Sequence, residues 1–365
     1  MMFYRLVSLL QLILFFIFST HSCDNLDIQM EERQTLSPGS TRAGTANLQA
    51  FPRKFEVLRI SVTSTCGFGC VYCAPGTSSE DPSALNTFRE SHSAHLSLDL
   101  LRRNLTILTS KLNIKEVHLT GGEPTNHKQL PEIVSLVKEL GVPEVALTSN
   151  GFFPEPLLSK LQAAGLDRMN FSVDSLSQEG FQRISGKKLP VHKLIEKVEQ
   201  AISLKMNVKV NCTVLRGYNE DQVVPLLKWT GDRGVPIRYL ELMRMGPLFS
   251  RHQELFYSAL EIRDQIGHEF NFEAEDTPLE STAKYYRTTE GYRFGIIGNH
   301  TEPFCEGCNR LRMDVKGNIY GCLSDTTSYS LSENEEQVEE SLRLAMMSKK
   351  NQFTGSELSM KYIGG

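Results

Sequence analysis

Six of the eight cysteines in this 365-residue chain fall into two tight groups. The first is Cys66-x3-Cys70-x2-Cys73 and the second is Cys305-x2-Cys308-x13-Cys322. Three thiolates on one loop suit an iron–sulfur cube that keeps one iron free of protein ligands. Such an iron can bind a substrate or a cofactor. Gly67 and Gly69 let the first loop fold tightly around its ligand. A structural zinc site wants a fourth ligand, and after Cys73 the nearest Cys or His is His92. The second group leaves zinc open, because His300 stands five residues before Cys305 and can complete a ribbon. Arg310 and Arg312 follow that group one residue apart. On a strand they share a face. Two planar, forked guanidiniums beside a metal cluster suit an anionic or purine ligand. Cys23 and Cys212 stand outside both groups; Cys212, inside a predicted strand, reads as packing.

The elements that must carry these groups alternate regularly. Strand-like runs are predicted at 56–62, 116–120, 144–148, 168–174, 208–215 and 236–241. Helical patterns separate them at 98–110, 130–140, 154–164, 194–204 and 220–230. This order predicts an α/β fold, a parallel sheet curled into a full or partial TIM-like barrel over 51–245. Chemistry in such barrels sits at the C-terminal ends of the strands. The first Cys group follows the first strand, Gly121-Gly122-Glu123-Pro124 the second, Thr148 lies at the end of the third and Ser172 in the fourth. Beyond about 246 the period weakens, and 246–330 is expected to form a smaller region holding the second Cys group. Residues 331–365 read as a polar helix, with Leu342, Leu344, Ala345 and Met346 on its apolar side, and a tail ending Ile363-Gly364-Gly365.

Composition narrows the function. Thirty-nine basic against 43 acidic residues give a net charge of −4, so a duplex-binding surface is a poor reading. Near the N-terminus, 6–18 is apolar except for Ser8 and Gln11. Thirteen helical residues span roughly 20 Å, the length of a signal-peptide core rather than of a membrane span. Residues 1–23 are therefore either an export signal or anchor, or an extension upstream of a true start at Met30; 24–50 read as a linker.

Cys-x3-Cys-x2-Cys with Tyr72 before its last cysteine, and Gly-Gly-Glu-Pro after the next strand, resembles the radical S-adenosylmethionine (SAM) enzymes. Phe304-Cys-x2-Cys-Asn-Arg-Leu-Arg, Gly321-Cys322-Leu323 and the Gly-Gly end narrow the likeness. Over 58–365 the chain resembles the molybdenum cofactor biosynthesis protein A family, the GTP 3′,8-cyclases. The resemblance implies two [4Fe-4S] clusters, on Cys66, Cys70 and Cys73 and on Cys305, Cys308 and Cys322. It implies SAM on the first, contacted by Tyr72, Gly121, Gly122, Glu123, Ser172 and Met243. It implies GTP between the clusters, held by Arg59, His118, Thr148, Lys209, Arg238, Arg310 and Arg312. A deoxyadenosyl radical would take hydrogen from ribose C3′, the carbon radical would attack guanine C8, and Gly364-Gly365 would thread into the site. Implied partners are a flavodoxin- or ferredoxin-type electron donor and cyclic pyranopterin monophosphate synthase, with a homodimer left open.

Departures bear on the substrate. The family usually places basic residues where this chain has Glu116 and His118, and Asn and Arg where it has Gly67 and Gly69. His118 is expected to recover some phosphate affinity if the ligand holds it protonated. The alternative is a divergent two-cluster radical SAM enzyme acting on another nucleotide or on a peptide. Its demand for GTP, SAM, cluster assembly and reductant predicts the cytoplasm or an organelle matrix, against the face value of residues 1–23.

Overall fold

Side-chain alternation along the strands makes one sheet with two unlike faces. On β1 (Val57–Thr63), Leu58, Ile60 and Val62 are fully buried on one face, while Arg59, Ser61 and Thr63 occupy the other. β2 (Glu116–Gly121), β3 (Glu144–Ser149), β4 (Arg168–Ser172), β5 (Asn207–Val214) and β6 (Ile237–Glu241) repeat the pattern. The apolar face is covered by α1 (Leu98–Lys111), α2 (Leu130–Glu139), α3 (Pro156–Ala163), α4 (Gln178–Ser185), α5 (Val191–Ser203) and α6 (Val223–Gly231). On α1 the inward residues Leu101, Asn104, Leu105 and Leu108 follow helical spacing, and buried Asn104 donates to Gly317 O at 3.0 Å. Each large aliphatic side chain buried between the layers contributes roughly 1.5–3 kcal/mol. The polar face carries no such cover. The computed structural model describes residues 53–73, 95–332, 334–356, 360 and 363.

β1 to β6 lie side by side in chain order, all parallel. A flat sheet would hold β1 and β6 about 24 Å apart, five steps of about 4.8 Å. Yet Arg59 on β1 and Arg238 on β6 act on each other electrostatically. The sheet must therefore curl with its polar face inward, as a partial barrel.

The strands of the region after 246 extend both edges of this sheet. β7 (Phe272–Ala274), β8 (Lys284–Thr288) and β9 (Arg293–Ile297) join beyond β6, β9 being parallel to it. β10 (Arg310–Met313) pairs parallel with β1, and β11 (Ile319–Tyr320) antiparallel with β10. The strands are short, which is why their period is weak. α7 (Ala259–Gly267) packs near α6 and β6, and α8 (Glu335–Met347) near β11.

Most predicted elements differ from the observed ones by one to three residues at their ends. Strand four was expected to reach 174 but stops at Ser172, because Asp174 turns aside to accept from Tyr72 and Thr213. α4 was missed; Ser177 caps it, accepting from Gly180 N at 3.0 Å, and Gly186 ends it at φ 65°. On α8 Leu344 is only half-buried, and Val338 takes the buried place instead. The readings of 1–23 and 24–50 lie outside the described residues. Among those described, no helix is long and apolar enough to cross a membrane.

Candidate active site

The first cysteine loop leaves β1 and docks on the end of α4. Gly69 N and Val71 N donate to Ser185 O and Ile184 O at 3.1 and 3.0 Å. Phe68 packs against Phe152 and Phe181, ring centroids 5.3 and 6.0 Å away. These ties hold Cys66, Cys70 and Cys73 half-buried at the C-terminal end of the strands. Burial, then the charges of Cys73, Asp174 and Cys66, pushes the Cys70 thiol well up. A buried thiol that resists ionising alone, beside two further cysteines, suits a cationic metal body that takes it as a thiolate. Among the described residues, no three His, Cys, Asp or Glu side chains stand close enough to cage one bare ion. A cube is the larger body.

Beside this loop is a small cleft lined by Tyr72, Cys73, Thr213, Leu242, Met243 and Met360 among others. Tyr72 donates its hydroxyl to Asp174 Oδ2 at 2.7 Å, and Asp174 Oδ1 accepts from Thr213 N at 2.9 Å. Burial raises Asp174 to about 6 despite these bonds. Across the loop, glycine is required at two adjacent positions. A Cβ on Gly121, whose φ is +136°, would lie 2.2 Å from Thr63 O, and one on Gly122 would lie 2.4 Å from Thr65 O. The buried Thr65 hydroxyl next to this cradle has no hydrogen-bond partner among the described residues. A polar cofactor group at that spot would satisfy it, so the residues fit SAM on a cluster. Glu123 lies beside this cradle and is hydrogen-bonded to both loops. Its Oε1 accepts from Ser149 Oγ at 2.7 Å and Thr125 Oγ1 at 2.6 Å, and its Oε2 from Asn150 N at 2.8 Å. The carboxylate ties the β2 and β3 loops together. Ser172 sits half-buried on the inner face of β4, level with Asn211.

Between the strand ends the inner face is a hydrogen-bonded belt. Arg59 donates to His118 Nδ1 at 3.1 Å, and His118 Nε2 lies 2.7 Å from Thr148 Oγ1. Asn170 Nδ2 lies 3.3 Å from the same ring nitrogen, while Asn170 Oδ1 and Asn211 Oδ1 accept from Arg238 at 3.1 and 2.8 Å. Lys209 is level with Asn170, and Arg312 with Arg59. Burial, then the Arg312 and Arg310 charges, lowers Arg59 well below the ordinary arginine value. Burial and Arg310 lower Arg312 to about 10, and burial and Arg168 lower Lys209 to about 8. Arg168 is held by Glu144 and, at 2.7 Å, by Glu116. The field over the rest of this face comes from Arg59, Lys209, Arg238, Arg310 and Arg312. A concave surface of crowded cations calls for a polyanion.

Without a bound anion His118 is not a cation. Burial and the neighbouring Arg59 push it down to about 3, so the ring is neutral, and both nitrogens are engaged in the belt. Glu116 is ionised: burial would raise it, but its neighbours, the Arg168 guanidinium at 2.7 Å among them, hold it at about 2.

The second triad sits where barrel logic did not put it. Arg310 pairs with Val57 at the start of β1, so Cys308 lies at the N-terminal end of the strands. Cys66 lies past the other end of β1, seven residues long and so roughly 20 Å away along the strand. The arginine layer and the belt lie between. Burial raises Cys308, but Arg310 and Lys349 outweigh it and bring the thiol to about 6. Lys349 Nζ is 3.3 Å from its sulfur. Arg310 stacks on Phe304, 4.6 Å from the ring centroid. His300 does not complete a zinc ribbon. Its ring packs tilted against His252 at 4.5 Å and edge-to-face with Phe353 at 5.1 Å, and its Nε2 accepts from Arg244 N at 3.2 Å. Ile363 is buried with Met245 and Tyr320, beside Leu323; Gly364 and Gly365 lie outside the described residues.

Sequence reasoning missed Thr65, Asp174, Asn170, Asn211 and Lys349. Polar residues at alternate positions of β4 and β5 were a signal for the two asparagines; Lys349 had none. Two family models match the chain. The radical SAM superfamily covers residues 60–230 and Molybdenum Cofactor Synthesis C residues 235–354. The GTP 3′,8-cyclase of Nautilia profundicola is 32% identical over 86% of this chain and 97% of that protein. That of Aquifex aeolicus is 31% identical over 86% and 96%. Streptococcus suis SuiB bound to precursor peptide SuiA has TM-score 0.59 at 12% identity, over 93% of this chain and 79% of that one, a likeness of fold alone. Matched along nearly the full length of those cyclases, this chain belongs to the GTP 3′,8-cyclase family of radical SAM enzymes.

Proposed function

We propose that the protein converts GTP to (8S)-3′,8-cyclo-7,8-dihydroguanosine 5′-triphosphate, a lyase reaction that opens molybdenum cofactor biosynthesis. The observation that carries this reading is the cationic inner face lying between two three-cysteine nests. Cys66, Cys70 and Cys73 hold one [4Fe-4S] cluster, and Cys305, Cys308 and Cys322 a second. A reduced cluster and SAM supply a 5′-deoxyadenosyl radical. Tyr72 and Met243 line the adenine side of the cleft, Gly121 and Gly122 admit the SAM amino group, and Ser172 meets its ribose or carboxylate. Glu123 acts by holding the Gly-Gly loop against β3.

Arg59, Lys209, Arg238, Arg310 and Arg312 hold the triphosphate and purine. Thr148 and His118 orient Arg59 through the belt rather than carrying charge themselves. Gly364 and Gly365, which follow Ile363 in the sequence, take part in cyclisation. The electron comes from a flavodoxin- or ferredoxin-type donor, the product passes to cyclic pyranopterin monophosphate synthase, and the reaction's needs place it in the cytoplasm or an organelle matrix. Glu116, which neutralises a cation of the inner face, favours a second reading: a paralogue acting on another nucleotide.

The test is to incubate anaerobically reconstituted protein with SAM, reductant and GTP. Loss of GTP with formation of 5′-deoxyadenosine is expected, and neither in Cys66→Ala. Deoxyadenosine without loss of GTP would favour the second reading. Deoxyadenosine from Cys66→Ala would remove the role of this loop.

A further inference from the structure

Lys349 lies two residues beyond α8, and it is 8% exposed. An ammonium is strongly hydrated, and burying one is unfavourable unless partners replace the water. Here three partners do. Nζ is 3.3 Å from Cys308 Sγ, 2.9 Å from Arg310 O and 3.1 Å from Gly321 O. The ring of Phe55 lies under it, centroid at 5.0 Å. Two of the hydrogen-bond partners are neutral carbonyls; only the sulfur can carry charge to match. The contacts also span the nest. Arg310 O follows Cys308, Gly321 O precedes Cys322, and Arg53 bridges Cys305 O at 3.1 Å and Lys350 O at 3.4 Å. The fit is close, since a Cβ on Gly321 would lie 1.6 Å from Ala345 O of α8. The end of α8 thus reaches all three cysteine segments.

We infer that Lys349 is a positioning residue of the second cluster, whose ammonium on the Cys308 sulfur raises that cluster's one-electron reduction potential. This rests on the reading of Cys305, Cys308 and Cys322 as cluster ligands. Reduction adds one negative charge to the cluster. A fixed cation hydrogen-bonded to a ligand sulfur stabilises the reduced form more than the oxidised one. A lysine placed only to fill space would leave the potential where it was.

The test is a dithionite titration with mediators, followed by electron paramagnetic resonance, on full-length reconstituted protein. Lys349→Gln keeps a donor and removes the charge; Lys349→Met removes both. One of the two cluster signals should titrate at lower potential in Lys349→Gln and lower still in Lys349→Met. The other signal, from the Cys66 cluster, should not move. Both signals unmoved in a variant that retains about eight iron per chain would overturn the inference. If both neutral variants lose half their iron while Lys349→Arg keeps it, the cation is needed to hold the thiolates, which supports the role. Loss in Lys349→Arg as well would make it packing and overturn it. Wild-type protein with only about four iron per chain would remove the two-cluster reading, and this inference with it.

Discussion

Lys209 gives a direct test of the anion site. Burial first, then Arg168, Arg238 and Arg293, push its ammonium from 10.5 to about 8, with Glu116 pulling the other way. That fall amounts to roughly 3 kcal/mol against the charged form in the free protein. A polyphosphate beside it would restore the pKa toward that of an ordinary lysine. The ligand therefore prefers the ammonium. Affinity is full below about pH 8 and is lost as pH rises through it. The protonated fraction drops from roughly nine-tenths at pH 7 to one-tenth at pH 9, so GTP affinity should fall about tenfold. Arg312, at about 10, stays charged over that window, and His118, at about 3, stays neutral. Isothermal titration of GTP into the anaerobic holoprotein at both pH values measures the fall, and buffers of different ionisation enthalpy count the proton taken up. Lys209→Met should bind more weakly at pH 7 and lose the tenfold dependence. Equal affinity at the two pH values, or a full tenfold fall surviving in Lys209→Met, would refute the reasoning.

Gly122→Ala must shift Thr65, whose carbonyl oxygen lies 2.4 Å from the added Cβ, at a cost of about 1–3 kcal/mol. Calorimetry should show a lower Tm and weakened SAM binding; SAM affinity equal to wild type would sink the cradle. Arg310→Ala removes a charged donor and should weaken GTP binding by roughly 10- to 150-fold; an unchanged Kd would exclude Arg310 from the substrate site. Deleting Gly364 and Gly365 should stop cyclisation while leaving about eight iron per chain. Product formed at the wild-type rate would show that the tail is dispensable.

Much of the architecture was open to reading along the chain. Period-two alternation marked β1 to β6, because a strand buried on one face must alternate whatever its neighbours. Close spacing marked both cysteine triads, since short loops keep their sulfurs near one another. Gly121-Gly122 marked a tight approach, although only the fold shows that Thr63 and Thr65 are what approaches. Helix α4 escaped because it is only eight residues long and its inward face rests on just two large apolar residues, Phe181 and Ile184.

What linear order could not supply was pairing between distant segments and the charge each group bears. Nothing local says that β10 lies beside β1 across some 250 residues, and that pairing alone puts the second nest at the opposite end of the strands from the first. Nor does spacing reveal that His118 is neutral, that Arg168 is occupied by Glu116 and Glu144, or that Lys349 reaches a sulfur 41 residues away. Residue type and period are local properties, and they specified the elements and the two cysteine triads. Protonation, ion pairing and strand order depend on which segments meet in space. Those meetings turned a scatter of basic residues into one concave cationic face between two sulfur sites.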